Sequence, residues 1–348
     1  MDYDAGSNGT YSGDYDYGGH TFPTHIMPKT SVNPVYGWVA IFLYVLVFIL
    51  GVPGNGLVIW ITAFDIKRSV NTMWFLNLAV ADLLCCLSVP FTIMSIVLEY
   101  WPLGLFACKF IPSILLISMY ASVLLLTMIS IDRCLLVMKP VWCQNKRTLG
   151  KAYVACAVTW ILALVFSSPS FIFRNLSTSS GKCVYSYVLV PKEIQQTVEN
   201  SIAVYRLLIG FIIPFLVIIT CYTILVVRVK KRFTQNTKTM TLVLVVIAGF
   251  FICWLPYHVV GFVIAANPSH SDTYKSIKQV DTIFVAIAFM NSCINPIIYV
   301  LMGQDFKSKF QKSIRSVLRN VLTEESSQSR DSSKTKSLSE TRNTEASV

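Results

Sequence analysis

Charged side chains are scarce in this chain. Asp, Glu, Lys and Arg make up 14% of its 348 residues, about half the share usual in soluble domains. Too little polar surface remains to cover several soluble cores, so the length does not indicate a string of soluble domains. Histidine is rarer still: His20, His25, His258 and His270 are the full set, and neither His-Glu-x-x-His nor a nucleophile elbow occurs. No enzyme activity is expected. The ten cysteines form neither a CxxC metal pattern nor a disulfide framework. Eighteen acids against 29 bases give a formal charge of +11. Such an excess would fit a nucleic-acid binder, but its placement along the chain argues for a membrane, and no nucleic-acid partner is expected.

What is present is a series of long intervals between charges. A membrane helix needs about 20 mostly apolar residues, and seven intervals qualify. They cover 36–63, 69–98 (broken by Asp82), Lys109 to Asp132, Lys151 to Arg174, Glu199 to Arg228 (containing Arg206), Lys238 to Asp272, and Asp281 to Asp305. Pro53, Pro90, Pro112, Pro169, Pro214, Pro256 and Pro296 fall within them, which a helix bundle in lipid tolerates better than a soluble helix does. The expected fold is an all-α membrane protein, a seven-transmembrane helix bundle over 36–303.

An odd number of spans puts the termini on opposite sides. With the N-terminus outside, 21 of the 29 Lys and Arg residues fall on the cytoplasmic side, the orientation that the positive-inside rule selects. No cleavable signal peptide is visible in 1–35, so the first span is expected to act as its own insertion signal. The expected location is the plasma membrane, with an extracellular N-terminus and a cytoplasmic C-terminus.

Residues 1–35 hold four acids, one lysine and several tyrosines, and cannot bury enough apolar surface to fold alone. They read as a disordered arm, either simply solvated or serving to capture a cationic partner. Tyr11, Tyr15 and Tyr17 lie near acids and are sulfation candidates, and Asn8 and Asn175 head glycosylation triplets. On this topology only Cys108 and Cys183 face the oxidising side, so these two are expected to pair.

Ionisable groups inside the spans each suggest a function. Asp82 sits mid-span, with Asn55, Ser122, Asn291 and Asn295 available from other helices. The group reads either as a hydrogen-bonded polar cluster or as a site for a sodium ion, formed by Asp82, Ser122, Asn291 and Asn295; no other cofactor is expected. Near the outer side, Arg174 and Arg206 with Glu199 and Asp281 surround one vestibule. Leu115, Met119, Tyr257 and Val285 would supply its walls. Guanidinium forks suit a peptide carboxylate and an acid suits a basic side chain; mutual salt bridges are the alternative reading.

After the last span, Phe306, Phe310, Ile314 and Val317 alternate with Lys307, Lys309, Lys312 and Arg315. The stretch 304–320 therefore reads as an amphipathic interfacial helix on anionic membrane lipid. Residues 321–348 read as a disordered cytoplasmic tail, in which Ser326, Ser327, Ser329, Ser332, Ser333, Ser337 and Ser339 are phosphorylation candidates.

Several short patterns occur in order along the spans: Gly54-Asn55, Asn77-Leu78-Ala79-Val80-Ala81-Asp82, Asp132-Arg133-Cys134, Trp160, Pro214 with Tyr222, Phe250 before Cys253-Trp254-Leu255-Pro256, and Asn295-Pro296-Ile297-Ile298-Tyr299. On these the chain resembles the rhodopsin-like G-protein-coupled receptors over roughly 36–320. The resemblance implies that Trp254, Pro256 and the Asp82 cluster move on activation, together with Asn295 and Pro296. It also implies that Asp132 holds Arg133 until the sixth span swings out, and that Arg133, Tyr222 and Tyr299 then face a heterotrimeric G protein, of the inhibitory class. Arrestin would follow tail phosphorylation. Within the family, Lys139-Pro140-Val141-Trp142-Cys143-Gln144-Asn145 and Leu318-Arg319-Asn320-Val321-Leu322-Thr323-Glu324-Glu325-Ser326 are similar to chemoattractant receptors of the C5a anaphylatoxin type. That likeness implies a cationic protein ligand such as C5a, its body on the acidic arm and its tail in the vestibule. Formyl-peptide receptors remain an alternative, although their N-termini are short. A transporter is the alternative from another class, against which stand the odd span number and the lack of an internal repeat.

Overall fold

Seven helices among the described residues are long and apolar enough to cross a membrane. In the computed structural model the described residues are 34–229, 237–267 and 271–302. The expectations placed on Asn8, Tyr11, Tyr15, Tyr17, the interfacial helix at 304–320 and the tail serines lie outside them, as does the side chain of Tyr299.

The first span is α1 (Pro34–Trp60), continued by a π turn at Ile61–Asp65. A capping box starts α2 (Val70–Leu98): the Ser69 hydroxyl accepts from the Thr72 amide, and the Thr72 hydroxyl accepts from the Ser69 amide. The third span, α3 (Gly104–Met138), is the most enclosed. A short helix, α4 (Pro140–Lys146), leads into α5 (Leu149–Phe173). An antiparallel hairpin follows, β1 (Arg174–Leu176) with β2 (Cys183–Tyr185), in register Arg174 to Tyr185 and Leu176 to Cys183. The fifth span joins α6 (Lys192–Leu207), a π turn at Leu208–Ile212 and α7 (Ile213–Val229). Then come α8 (Thr237–Ala266) and α9 (Asp272–Met302).

Helix ends depart from the intervals between charges. The fifth span begins at Lys192 rather than after Glu199, the seventh at Asp272 rather than at Asp281, and α3 runs past both Lys109 and Asp132. Charge-free intervals measure the thickness of hydrocarbon. A helix can carry charged turns beyond it, where water solvates them.

Most of the span prolines sit inside their helices, but Pro214 follows directly on the π turn. A proline has no N–H for the carbonyl four residues back, and its ring crowds that carbonyl. Here the carbonyl belongs to Gly210, inside the π turn. The widened turn absorbs the conflict and brings Gly210 close to α3, where a Cβ would lie 2.9 Å from Met119 Cε.

Cys108 and Cys183 form a disulfide, with Cα atoms 5.5 Å apart, tying the hairpin to α3. The other eight described cysteines are free thiols. A membrane-impermeant maleimide is expected to label neither Cys108 nor Cys183 on intact cells until a reductant is added. Labelling of both beforehand would contradict the bond.

Candidate functional site

The hairpin end opens into a cavity of about 510 Å³ bounded by the hairpin, α6, α8 and α9. Arg206, Arg174, Glu199, Asp281, Tyr257 and Val285 all line it, so the structure gathers six of the eight sequence-predicted ligand residues at one place. The cavity has room for a few peptide residues.

Each arginine rests on a tyrosine. Arg206 reaches across from α6, donates from Nη1 to the Tyr257 hydroxyl at 3.0 Å, and its guanidinium lies 5.6 Å from that ring's centre. Arg174 starts β1 and faces its cross-strand partner Tyr185, the guanidinium 4.5 Å from the ring centre. Its Nε donates to the Ser170 hydroxyl at 3.3 Å, which also accepts from Ser113 at 2.7 Å. Sequence reading missed Tyr185, Ser170 and Ser113; a hairpin register places Tyr185, and no local pattern announces it.

Among the described residues, neither arginine forms an ion pair. The expected alternative of mutual salt bridges is therefore not what the structure contains. The fixed positive charge acts on its surroundings: burial pushes the Tyr185 hydroxyl up, yet the Arg174 and Arg206 guanidiniums outweigh burial and hold it below its ordinary value. Asp281 is already engaged, accepting from Lys278 Nζ at 2.9 Å. That pair is half-exposed and one turn apart on a helix, a type worth little, so a ligand cation can displace the lysine.

Two wall residues sit elsewhere. Leu115 lines a second cavity of about 270 Å³ toward α2, together with Trp101, Pro112 and Phe289. Arg174, Cys183 and Val285 border both cavities and form the partition. Met119 is not a wall at all. It is fully buried against the π turn, because the widened turn draws the fifth span over it. His258, similarly, is enclosed by Phe211, Trp254 and Tyr257 beneath the cavity.

Below lies Trp254, 1% exposed, packed edge-on to Tyr257 and tilted against Phe250. This stack connects the cavity floor to Pro256, inside α8. Deeper still, Asn295 donates to Asp82 Oδ2 at 2.6 Å, and Ser292 also faces that carboxylate. Asn55 donates to the Ser292 carbonyl at 2.7 Å. Among the described residues Asp82 Oδ1, Ser122 Oγ and Asn55 Oδ1 are buried without a protein partner, and Asn291 is also buried. A carboxylate with orphaned hydroxyl and amide oxygens has the donor chemistry that fits a hard cation.

At the opposite end the predicted Asp132–Arg133 pair does not form. Asp132 instead takes a two-pronged contact from Arg147, Nε to Oδ1 at 2.6 Å and Nη2 to Oδ2 at 2.9 Å. Arg147 presents its planar fork to both carboxylate oxygens from the turn after α4, and that two-pronged contact occupies Asp132. Arg133 donates to Asn71 Oδ1 at 2.8 Å. Tyr222 is buried nearby with no partner for its hydroxyl. Asn175, the one glycosylation candidate among the described residues, is exposed on the hairpin.

A sequence profile described as 7 transmembrane receptor (rhodopsin family) matches residues 54–299. The chain belongs to the rhodopsin-like G-protein-coupled receptors. The receptor is 45% identical over 317 residues to the C5a anaphylatoxin chemotactic receptor 1 of Canis lupus familiaris, covering 89% of this chain and 90% of that one. It is 46% identical over 293 residues to the proteins of the same name from Homo sapiens and Rattus norvegicus, covering 82% of each chain. Membership makes the receptor a multi-pass membrane signalling protein, not an enzyme, and places Arg133 and the Trp254 stack in a chain whose family couples to G proteins.

Proposed function

We propose that the receptor binds the anaphylatoxin C5a on its extracellular side and activates a heterotrimeric G protein of the inhibitory class for chemotactic and inflammatory signalling. The observation that carries this reading is the pair of arginines held on tyrosines, without carboxylate partners, in a cavity sized for a peptide tail. Arg206 and Arg174 take the ligand's terminal carboxylate, and Asp281 exchanges Lys278 for its terminal arginine. Val285 offers apolar contact at the partition, and Leu115 in the second cavity beyond it. The acidic arm, sulfated at Tyr11, Tyr15 or Tyr17, holds the cationic body, and Asn8 and Asn175 carry glycans. The N-terminus is outside and the C-terminus in the cytoplasm, where the basic stretch 304–320 lies on anionic lipid and the phosphorylated tail serines recruit arrestin.

Ligand can activate only by favouring one conformation over another. A tail that fills the cavity presses on Tyr257, hence on Trp254 and Pro256. A sodium ion held by Asp82, Ser122, Asn291 and Asn295 would supply the countercharge that fixes the resting arrangement of that cluster.

The test is a panel of C5a, C3a and formylated peptides, read by cAMP and calcium. C5a should be the agonist; a response to formyl peptide alone overturns the assignment. In the same assay, Asp281→Arg is expected to weaken an Arg-terminated C5a tail peptide about tenfold or more, the scale of one charge-assisted contact turned repulsive. The same peptide lacking that arginine should lose far less. Equal losses would refute the role given to Asp281.

A further inference from the structure

We infer that Arg147 is a positioning residue that sets the coupling readiness of the receptor by withholding Asp132 from Arg133. The inference rests on G-protein coupling, and does not depend on which ligand is bound. The geometry is a four-residue relay at the end opposite the hairpin. Arg147 grips both oxygens of Asp132, at 2.6 and 2.9 Å, and the same Nη2 donates to Asn71 Oδ1 at 2.6 Å. Arg133 donates to that same Asn71 oxygen at 2.8 Å. One neutral carbonyl thus accepts from two guanidiniums, while the only carboxylate in the relay is spent on one of them. No ion pair joins Asp132 and Arg133 among the described residues, and Arg133 Nε is buried with no partner.

The consequence follows from the strengths of these contacts. A planar fork on a carboxylate is among the strongest pairings available to a side chain, while a hydrogen bond to a neutral amide is weaker. Asp132 and Arg147 are only slightly exposed, with side chains at 11% and 21%, so their pair is screened less than a surface one. Among the described residues Arg133 is left on one hydrogen bond, to a neutral oxygen. It can therefore leave for a partner's surface at less cost than if Asp132 held it.

Arg147 is itself held in place by local structure. Its amide donates to the Cys143 carbonyl at 3.0 Å and closes α4, and Cys143 is buried. The short helix therefore presents Arg147 to the end of α3 at a fixed angle. Val141 and Trp142 on the same helix are exposed, so a partner that presses on them moves the relay.

Removing Arg147 vacates Asp132, and the neighbouring Arg133 takes it by a rotamer change. Arg147→Ala is expected to lower agonist-free nucleotide exchange on purified inhibitory-class heterotrimer about tenfold, the difference between a charged and a neutral contact. Arg147→Gln, which keeps a polar group of similar reach, should do the same and guards against a folding defect in the alanine variant. Arg147→Lys should recover part of the loss, because it keeps the charge without the fork. Asn71→Ala should raise exchange, since it removes the one hydrogen bond that holds Arg133 among the described residues. In an Asp132→Asn background Arg147→Ala should have no further effect, a coupling that a purely structural residue would not show. Nε–H NMR of the arginine-labelled receptor gives a readout free of any G protein: the downfield Arg147 signal should vanish in Arg147→Ala and a downfield Arg133 signal should take its place. Exchange that rises in Arg147→Ala, or effects of Arg147→Ala and Asp132→Asn that simply add, overturn the inference. If the wild type drives no exchange on any heterotrimer, the coupling reading fails, and an unshifted Arg133 signal in Arg147→Ala then overturns the relay separately.

Discussion

Arg206→Ala is expected to weaken the response to C5a by roughly 10- to 100-fold, the range for one lost hydrogen-bonded charge contact. The guanidinium is anchored to Tyr257 at 3.0 Å and has no carboxylate of its own among the described residues, so it offers a fork already aimed. Its alanine variant removes both the charge and the contact with Tyr257, on the path to Trp254. Arg206→Lys keeps the charge but neither stacks nor forks in the same way, and should recover only part of the loss. Tyr257→Phe removes the hydrogen bond while leaving the ring, and should cost much less. The deciding measurement compares two C5a tail peptides, one ending in a free carboxylate and the other in an amide. Arg206→Ala should penalise the acid far more than the amide. If both lose equally, Arg206 serves packing and not anion recognition.

Gly51→Ala is expected to be the most damaging of the small substitutions. A Cβ at Gly51 would collide with the Cys86 sulfur, and Cys293 Cβ stands 3.6 Å away. Both neighbours are buried in the seam where α1 meets α2 and α9. An extra methyl in such a seam costs about 1–3 kcal/mol, a large part of the margin by which a typical domain is stable. Thermal unfolding of purified receptor should fall by several degrees and surface expression should drop with it. Cys86→Ala in the same chain removes the obstructing sulfur and should restore most of the loss, whereas Gly56→Ala, with no atom within 4 Å of its Cβ, should be neutral. A Gly51→Ala receptor as stable as wild type would show that the seam can open at no cost.

The span count and the disulfide were legible in the sequence because each rests on a property that lipid enforces locally. Hydrocarbon excludes charge, so the intervals between charges marked where the chain crosses; the side expected to be oxidising held just two cysteines, and Cys108 and Cys183 do pair. The vestibule was legible in part. Arg174, Arg206, Glu199, Asp281 and Tyr257 converge, but which charge satisfies which was not readable, because pairing depends on angles between helices that spacing does not encode. Asp132 shows this plainly. Its chain neighbour Arg133 was the natural partner on paper, and the loop residue Arg147 takes it in three dimensions. Met119 failed for a related reason: a helical repeat of 3.6 assigns it to the vestibule side, and the neighbouring π turn covers it.

That π turn at Leu208–Ile212 has a broader consequence for the fifth span. One residue beyond the regular repeat advances a helix by about 100°. Arg206 above the turn and Tyr222 below it therefore keep different phase, and a single helical wheel drawn through the whole span puts one of them on the wrong side. The span works as two half-helices whose azimuths differ by a fixed offset. The offset lets one continuous helix turn Arg206 into the cavity and, beyond the turn, Tyr222 into the buried end near Arg133, two directions that a regular repeat would not combine.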